Sequence, residues 1–326
     1  TFGEYSCEEL ALMAKNGVPH DDRSATVFVA PQLAAPGEEE ETYFVRWFNS
    51  DADELDDCHH GNLGAAHLIY ARARSAGSIF LIGGNPPRRT KMTRRAGGIV
   101  AMELDSYTVA QCQVWDDDEL RDTGACAQRR SVGTPDRAMQ PITHQLLDAL
   151  GLRGHVRWAG THFFGVVLLT SLAKLHSMEP DFAEIVRLSS SDRQSGTKQP
   201  RSIYVAAFAE ESNHGPYDFQ FRCFSPSLGT NEEQVTTVAC GILGQLRASH
   251  WYHTPPNGGA GYYICRQCSD TNAEFFVRCL GDNKVSVAGR ASADPGDPAE
   301  PDPPSLWRLI SSGAWLEIAC CSNRAK

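Results

Sequence analysis

His60 and Glu233 are the two titratable side chains whose surroundings repeat along the chain. The first follows Phe44-Val45-Arg46-Trp47-Phe48 and an acidic loop, and leads into Gly61-Asn62-Leu63-Gly64-Ala65-Ala66-His67. The second follows Gln220-Phe221-Arg222-Cys223-Phe224 and a loop, and leads into Gln234-Val235-Thr236-Thr237-Val238-Ala239-Cys240. Each stretch reads as a strand with Arg at its centre and Phe at its end, then a polar loop, then a helix opening on small residues. Such an internal echo points to a duplicated lobe. A helix start leaves backbone N–H groups without intrahelical acceptors, and the helix dipole adds partial positive charge there. Two such starts could hold a small carboxylate with no metal. The residues expected to line it are Gly61, Asn62, Leu63, Gly64, Thr236 and Thr237. An imidazole on one side and a carboxyl on the other could remove a proton from a bound carbon acid and return it. Taken singly, His60 also reads as a helix cap and Glu233 as a solvated loop residue.

The elements that must position these groups follow from hydrophobic spacing. Helices are expected at Glu8–Asn16, ended by Gly17 and Pro19, and at 61–74, 141–152, 182–188 and 236–250. Strands are expected at 26–30, 43–48, 78–82, 99–104, 108–115, 163–169, 202–207, 219–224, 262–265, 274–280 and 284–289. A polar stretch at 125–136 marks a boundary. The domains expected are therefore an N-terminal lobe over 1–130, a C-terminal lobe over 131–292, and a Pro/Asp-rich linker with an apolar tail over 293–326. The tail carries Trp307, Leu309, Ile310, Trp315, Leu316 and Ile318, enough apolar surface to dock onto the body.

Composition narrows the function. The 326 residues carry a net charge of −10, which disfavours a nucleic-acid partner unless basic groups cluster locally. Arg88, Arg89, Lys91, Arg94 and Arg95 do cluster, after a Gly83-Gly84-Asn85-Pro86-Pro87 turn, and read as a solvated hairpin loop. The most apolar segment, around 163–172, is too short to span a bilayer, and the first residues lack a signal-peptide pattern, so a cytoplasmic protein is expected. The 11 cysteines are odd in number and irregular in spacing, which reads as reduced thiols. Cys265 and Cys268 have metal-ligand spacing but lack a second pair, so no metal is expected.

The same residues resemble the PhzF-like isomerase family. Its members carry a G-H-P-T-L-G-T-A-H segment in the first half and E-D-P-V-T-G-S-A-H in the second. Here these run from His59 to His67 and from Glu232 to Cys240. The family's S-E-T-A-F falls on Ser24-Ala25-Thr26-Val27-Phe28, and its R-Q-x-S on Arg266-Gln267-Cys268-Ser269. The resemblance spans about Glu8 to Ala291. It implies an α+β, diaminopimelate-epimerase-like fold: two pseudo-symmetric lobes, each a curved, mostly antiparallel sheet around a central helix. It also implies cofactor-independent proton transfer on a small carboxylated substrate bound between the lobes, with His60 and Glu233 catalytic and Ser24 and Ser269 among the binding residues.

Departures accompany the matches. The proton-shuttling glutamate of the family falls on Ala25, its aspartate becomes Glu233, its second-motif serine becomes Val238, and its glycine pair becomes Asn272-Ala273. The family's first strand, with its G-N-P motif, is expected to have little counterpart in the residues from Thr1 on, either because these residues begin late in the family pattern or because the tail fills that space. Asp21 and Asp22 could replace the lost carboxylate, though they also read as turn residues after Pro19. Cys58 and Cys240 sit at the wrong spacing for a two-thiol relay. Three functions stay open: an isomerase with an altered relay, a secondary-metabolism enzyme steering a cyclisation or elimination, and a catalytically silent binding protein. A small carboxylate is the expected partner, with a homodimer as an open option and no nucleic acid or membrane.

Overall fold

A computed structural model of the chain describes residues 6–16, 24–32, 40–49, 51–72, 77–105, 111–113, 144–161, 164–190, 200, 202–208, 216–250, 261–270, 272–281, 284–290, 307–312 and 315–320. The chain order begins α1 (Cys7–Asn16), β1 (Ser24–Pro31), β2 (Glu41–Phe48), β3 (Glu54–Leu55), α2 (His59–Arg72), β4 (Ser78–Gly83), β5 (Arg88–Arg94) and β6 (Val100–Asp105). It continues with β7 (Gln111–Gln113), α3 (His144–Ala149), β8 (Val156–Thr161), β9 (Gly165–Leu169), α4 (Leu172–His176), α5 (Phe182–Ser190), β10 (Ile203–Phe208), β11 (Phe219–Ser225) and β12 (Thr230–Glu232). It closes with α6 (Thr237–His250), β13 (Tyr263–Gln267), β14 (Glu274–Gly281), β15 (Lys284–Gly289), β16 (Trp307–Ser312) and β17 (Trp315–Cys320). This mixed, mostly antiparallel β structure with helices is the α+β class expected from the sequence.

The chain divides into two compact units. The first comprises residues 1–105, 235–238 and 274–326, the second residues 106–234 and 239–273. This grouping departs from lobes at 1–130 and 131–292, because β15 takes β6 as its antiparallel partner, with Ser286 opposite Glu103. The expected 125–136 boundary and the 294–304 linker lie outside the described residues.

In the first unit, β1 pairs antiparallel with β2, and β2 pairs parallel with β4. Ladder pairs then run β4–β5, β5–β6, β6–β15 and β15–β14. Helix α2 touches β1, β2, β4, β5, β6 and β16. It is buried nearly all round, from Gly61 through Ala66 and again at Leu68, Ile69 and Tyr70. A helix with no polar face belongs inside a fold, and the small residues let the strands approach it. The opposite face of β1 carries α1: Phe28 and Ala30 pack on Leu10 and Ala14, with Phe48 edge-on to Phe28 at 5.6 Å. Helix α1 starts in a capping box, the Glu9 amide donating to Ser6 Oγ and the Ser6 amide to Glu9 Oε2.

The basic segment forms a strand rather than a loop. Arg88–Arg94 is β5, hydrogen-bonded on both sides, with Met92 fully buried. Three of its cations are engaged with acids: Arg88 with Asp57 at 3.8 Å, Arg89 with Glu40, and Lys91 with Glu103 at 3.2 Å.

The second unit repeats the plan. Strand β10 pairs antiparallel with β11, and β11 pairs parallel with β13. Strands β9 and β10 run parallel and are buried along their whole length, as continuous apolar runs in covered sheets are. Their core includes Val167, Leu169, Ile203 and Val205 with Leu146, Leu150, Leu175 and Ile185. Strand β8 had no counterpart in the sequence reading.

The echo read in the sequence extends to a side-chain brace. Arg46 of β2 donates from Nε and Nη2 to Glu54 of β3 at 2.6 and 2.5 Å. Arg222 of β11 does the same to Glu232 of β12 at 2.7 Å for each bond. Each guanidinium also lies over the Phe two residues on, Phe48 at 5.5 Å and Phe224 at 5.0 Å. The bidentate pair and the cation–π contact hold the short strand ahead of each central helix.

The tail docks as a hairpin. Strand β16 adds antiparallel to β1, with Ala25 opposite Ser311 and Val27 opposite Leu309, and β17 folds back on β16. Deleting residues 294–326 should therefore strip one edge of β1. At about 1 kcal/mol per exposed ladder bond, amide exchange over 24–29 should rise about tenfold or more on the side facing β16. Unchanged exchange in the truncated protein would remove the hairpin from this edge.

Candidate functional site

Helix α2 begins at His59, two residues earlier than the sequence spacing suggests, so His60 lies inside its first turn. The Asn62 amide donates to the Cys58 carbonyl at 3.0 Å, which makes Cys58 the cap residue. The amides that helix geometry leaves without an i−4 acceptor are therefore those of His59, His60 and Gly61. Those of Asn62, Leu63 and Gly64 lie further inside the helix. Gly61 is required by close packing: a Cβ there would lie 2.9 Å from Cys58 Sγ and Trp47 Cδ1, and 3.0 Å from Val27 Cγ2. Asn62 is 2% exposed, and its Oδ1 has no hydrogen-bond partner among the described residues.

Burial sets the charge of the His60 ring. Desolvation, with His59 alongside, pushes its pKa down to about 4. It is a neutral base at ordinary pH. Cys58 Sγ lies 3.4 Å from Nε2 and 3.8 Å from Nδ1. His59 faces Asp57 instead, Nε2 to Oδ2 at 3.4 Å, and burial lowers its pKa as well.

Glu233 stands in the second unit, where burial raises its carboxyl above the usual range against a smaller lowering from Ser225. Its backbone is tied down twice. Its amide donates to the Cys223 carbonyl at 2.9 Å, and its carbonyl accepts from Gln267 Nε2 at 2.5 Å. Ser269 Oγ donates to the neighbouring Gln234 carbonyl at 2.9 Å. The Arg266-Gln267-Cys268-Ser269 segment thus braces the loop that presents Glu233. Gln267 is fully buried; the sequence offers it only as part of the R-Q-x-S match, with no role of its own. The signal was a polar residue at an inward position of an alternating strand. The turn after it runs through Asn272, whose φ of 50° is the left-handed conformation that Asn tolerates in place of glycine.

Thr237 opens α6, is 1% exposed, and has no partner for its Oγ1 among the described residues. Thr236 precedes it. Residues 235–238 group with the first unit, the unit of α2. Ser24 opens β1 opposite Ser312 of β16. Asp21 and Asp22 lie outside the described residues. The thiols of Cys265 and Cys268 are engaged separately: Cys265 is fully buried near Cys240, and Cys268 Sγ donates to Gln220 Oε1 at 3.1 Å. Among the described residues no group of His, Cys, Asp or Glu gathers around a metal position, and no helix is long and apolar enough to cross a membrane.

Comparison with known proteins follows the same lines. The family model described as phenazine biosynthesis-like protein, PhzC-PhzF, matches residues 3–293. A search of curated proteins finds no match. Among solved structures, a phenazine biosynthesis PhzC/PhzF protein of Clostridium difficile is similar over 89% of this chain and 86% of its own, at 18% identity and a TM-score of 0.59. A PhzF-family protein from Enterococcus faecalis is similar over 82% of this chain and 95% of its own, at 14% identity and a TM-score of 0.55. A predicted epimerase from Pseudomonas aeruginosa is similar over 88% of this chain and 86% of its own, at 14% identity and a TM-score of 0.52. At these identities the likeness is one of fold.

Proposed function

Since the chain belongs to the phenazine biosynthesis-like family, we propose that it is a cofactor-independent isomerase that moves a proton within a small carboxylated metabolite. His60 is the base and Glu233 the acid. The observation that carries this reading is that burial moves the two groups in opposite directions, the imidazole down to about 4 and the carboxyl up. A neutral imidazole can take a proton from carbon, and a carboxyl whose pKa is raised by burial is better matched to returning one than an ordinary carboxylate. The first amides of α2, which helix geometry leaves without an i−4 acceptor, suit the ligand carboxylate, and the buried Asn62 Oδ1 and Thr237 Oγ1 would gain partners from a bound polar ligand. The predicted epimerase among the structural neighbours agrees with proton-transfer chemistry.

A second reading, a binding protein without turnover, is favoured by Ala25, which cannot carry a proton where the family has glutamate. One experiment separates the two. The protein is screened against small carboxylates, beginning with benzoate, malate and succinate, in deuterated buffer. Thermal shift reports binding, and mass spectrometry reports deuterium at carbon. The isomerase reading expects at least one binder of a wider panel to gain deuterium at carbon. A set of tight binders that never exchange would overturn it in favour of the silent reading.

A further inference from the structure

We propose that Ser225 is the positioning residue of Glu233: its hydroxyl accepts from the carboxyl when that group is protonated and donates to it when it is ionised, with Ser202 taking the hydroxyl proton in the first state. This deepens the function proposed above and rests on Glu233 being its acid, but the titration that tests it needs no substrate.

Strand register builds the hydroxyl pair. Ile203 of β10 faces Phe224 of β11, and one step further along the ladder Ser202 meets Ser225. Ser225 Oγ donates to Ser202 Oγ at 2.9 Å. Both residues are buried, Ser225 at 1% exposure and Ser202 at 7%. Each backbone is also held from its other side. The Ser202 carbonyl accepts the Gly165 amide at 2.9 Å, and Ser225 pairs with Thr230 of β12. Strand β12 leads directly into Glu233, whose amide donates to the Cys223 carbonyl at 2.9 Å. The acid is thereby tied to the same end of β11 as the hydroxyl, and Ser225 makes a side-chain hydrogen bond to its carboxyl.

A serine hydroxyl has one proton and two lone pairs. Two acceptors compete for the Ser225 proton, Ser202 Oγ and the Glu233 carboxylate. When Glu233 is ionised, the proton turned toward it stabilises the charge, so Ser225 pulls the pKa down against the larger rise from burial. When Glu233 is protonated, the carboxyl is itself a donor. It then bonds to Ser225 Oγ, and the Ser225 proton stays on Ser202. Passing a proton to carbon therefore turns one hydroxyl and leaves the carboxyl in place. The charged and titratable groups nearby are engaged elsewhere: Glu232 with Arg222 at 2.7 Å, Cys268 Sγ with Gln220 at 3.1 Å, and Arg266 over the Tyr217 ring at 5.5 Å. Cys223 Sγ lies 4.0 Å from Ser225 Oγ, and the residues leading from Glu233 into α6, Gln234 to Thr237, are uncharged.

Carbon-13 NMR of the ligand-free, full-length protein tests this, with glutamate labelled at Cδ and serine at Cβ. The signals are assigned by comparison with Glu233→Gln and Ser225→Thr. Ser225→Ala should raise the Glu233 pKa by about half a unit or more, because the carboxylate loses its donor. Ser202→Ala should lower it, because the Ser225 proton loses its other acceptor. Ser225→Thr keeps the hydroxyl and should titrate close to the wild type. Lost packing alone would not shift two facing serine-to-alanine variants in opposite directions. An unchanged pKa in Ser225→Ala, or shifts of the same sign in both alanine variants, would overturn the proposal. The wild type decides even where a variant fails to fold: its Ser225 Cβ signal should move at the Glu233 midpoint as the hydroxyl turns, and a signal indifferent to that midpoint would overturn the proposal as well. A coupled titration with no carbon exchange in any ligand would leave Ser225 in its positioning role and remove only the isomerase.

Discussion

Replacing His60 with alanine should lower solvent deuterium uptake into the ligand by about 10²- to 10⁴-fold, the usual contribution of a positioned acid or base. Glu233→Gln should do the same. The two variants differ in their pH profiles, because the groups titrate in opposite senses. His60 works only when deprotonated, and burial pushes its pKa down to about 4, so the exchange rate of the wild type should rise as pH climbs past about 4 and then level off. Glu233 works only when protonated, and burial raises its pKa, so the rate should fall again above that raised value rather than above the ordinary carboxylate range. Glu233→Gln stays neutral at every pH and should lose the alkaline limb along with most of the rate. Stopped-quench mass spectrometry between pH 3 and 9 would check both limbs. Wild-type exchange in both variants would remove these residues from the chemistry and leave the fold intact.

The sequence made the repeated plan visible because the plan depends on few residues. A strand with a central Arg and a terminal Phe needs an acid nearby, and both copies found one, Glu54 and Glu232. The central helix α2 was legible from Gly61, Gly64, Ala65 and Ala66, small residues that make sense only where strands press in from several sides. Strand β5 was not legible. Arg-Arg-Thr-Lys-Met-Thr-Arg carries a single deeply buried side chain, Met92, and the segment becomes a strand because β4 and β6 flank it. Partners outside the window override local composition there. The site divides in the same way. His60 and Glu233 stood out by chemistry, but the contact from Cys58 to His60 spans two positions at a helix start, where backbone direction turns sharply. The bond from Gln267 to the Glu233 carbonyl joins residues far apart in the chain. Neither is a matter of spacing, so neither was written in the order of residues alone.

The packing around Trp47 carries the largest expected effect on stability. Gly83 ends β4, and a Cβ there would sit 2.5 Å from Trp47 Cη2, 2.6 Å from the Val45 carbonyl oxygen and 2.8 Å from Val45 Cγ2. The carbonyl belongs to the backbone of β2 and cannot yield without disturbing the β2–β4 ladder, in which Phe44 faces Ile82. Gly83→Ala should therefore cost about 3 kcal/mol, the upper end of ordinary overpacking. That corresponds to a fall in melting temperature on the order of 6 °C or more. Gly77 is the internal control, since a Cβ there meets nothing within 4 Å. Gly77→Ala should leave the melting temperature nearly unchanged. The effect reaches the site through one ring. Trp47 lies between Gly83, which its Cη2 approaches, and Gly61, which its Cδ1 approaches beside Cys58 Sγ. An indole displaced by a methyl at position 83 presses on the turn that holds His60, so Gly83→Ala should also disturb the His60 nitrogen-15 signals while Gly77→Ala leaves them in place. Equal melting temperatures for the two variants would mean that Trp47 is not wedged between these glycines, and the account of how the first turn of α2 is held would fall with it.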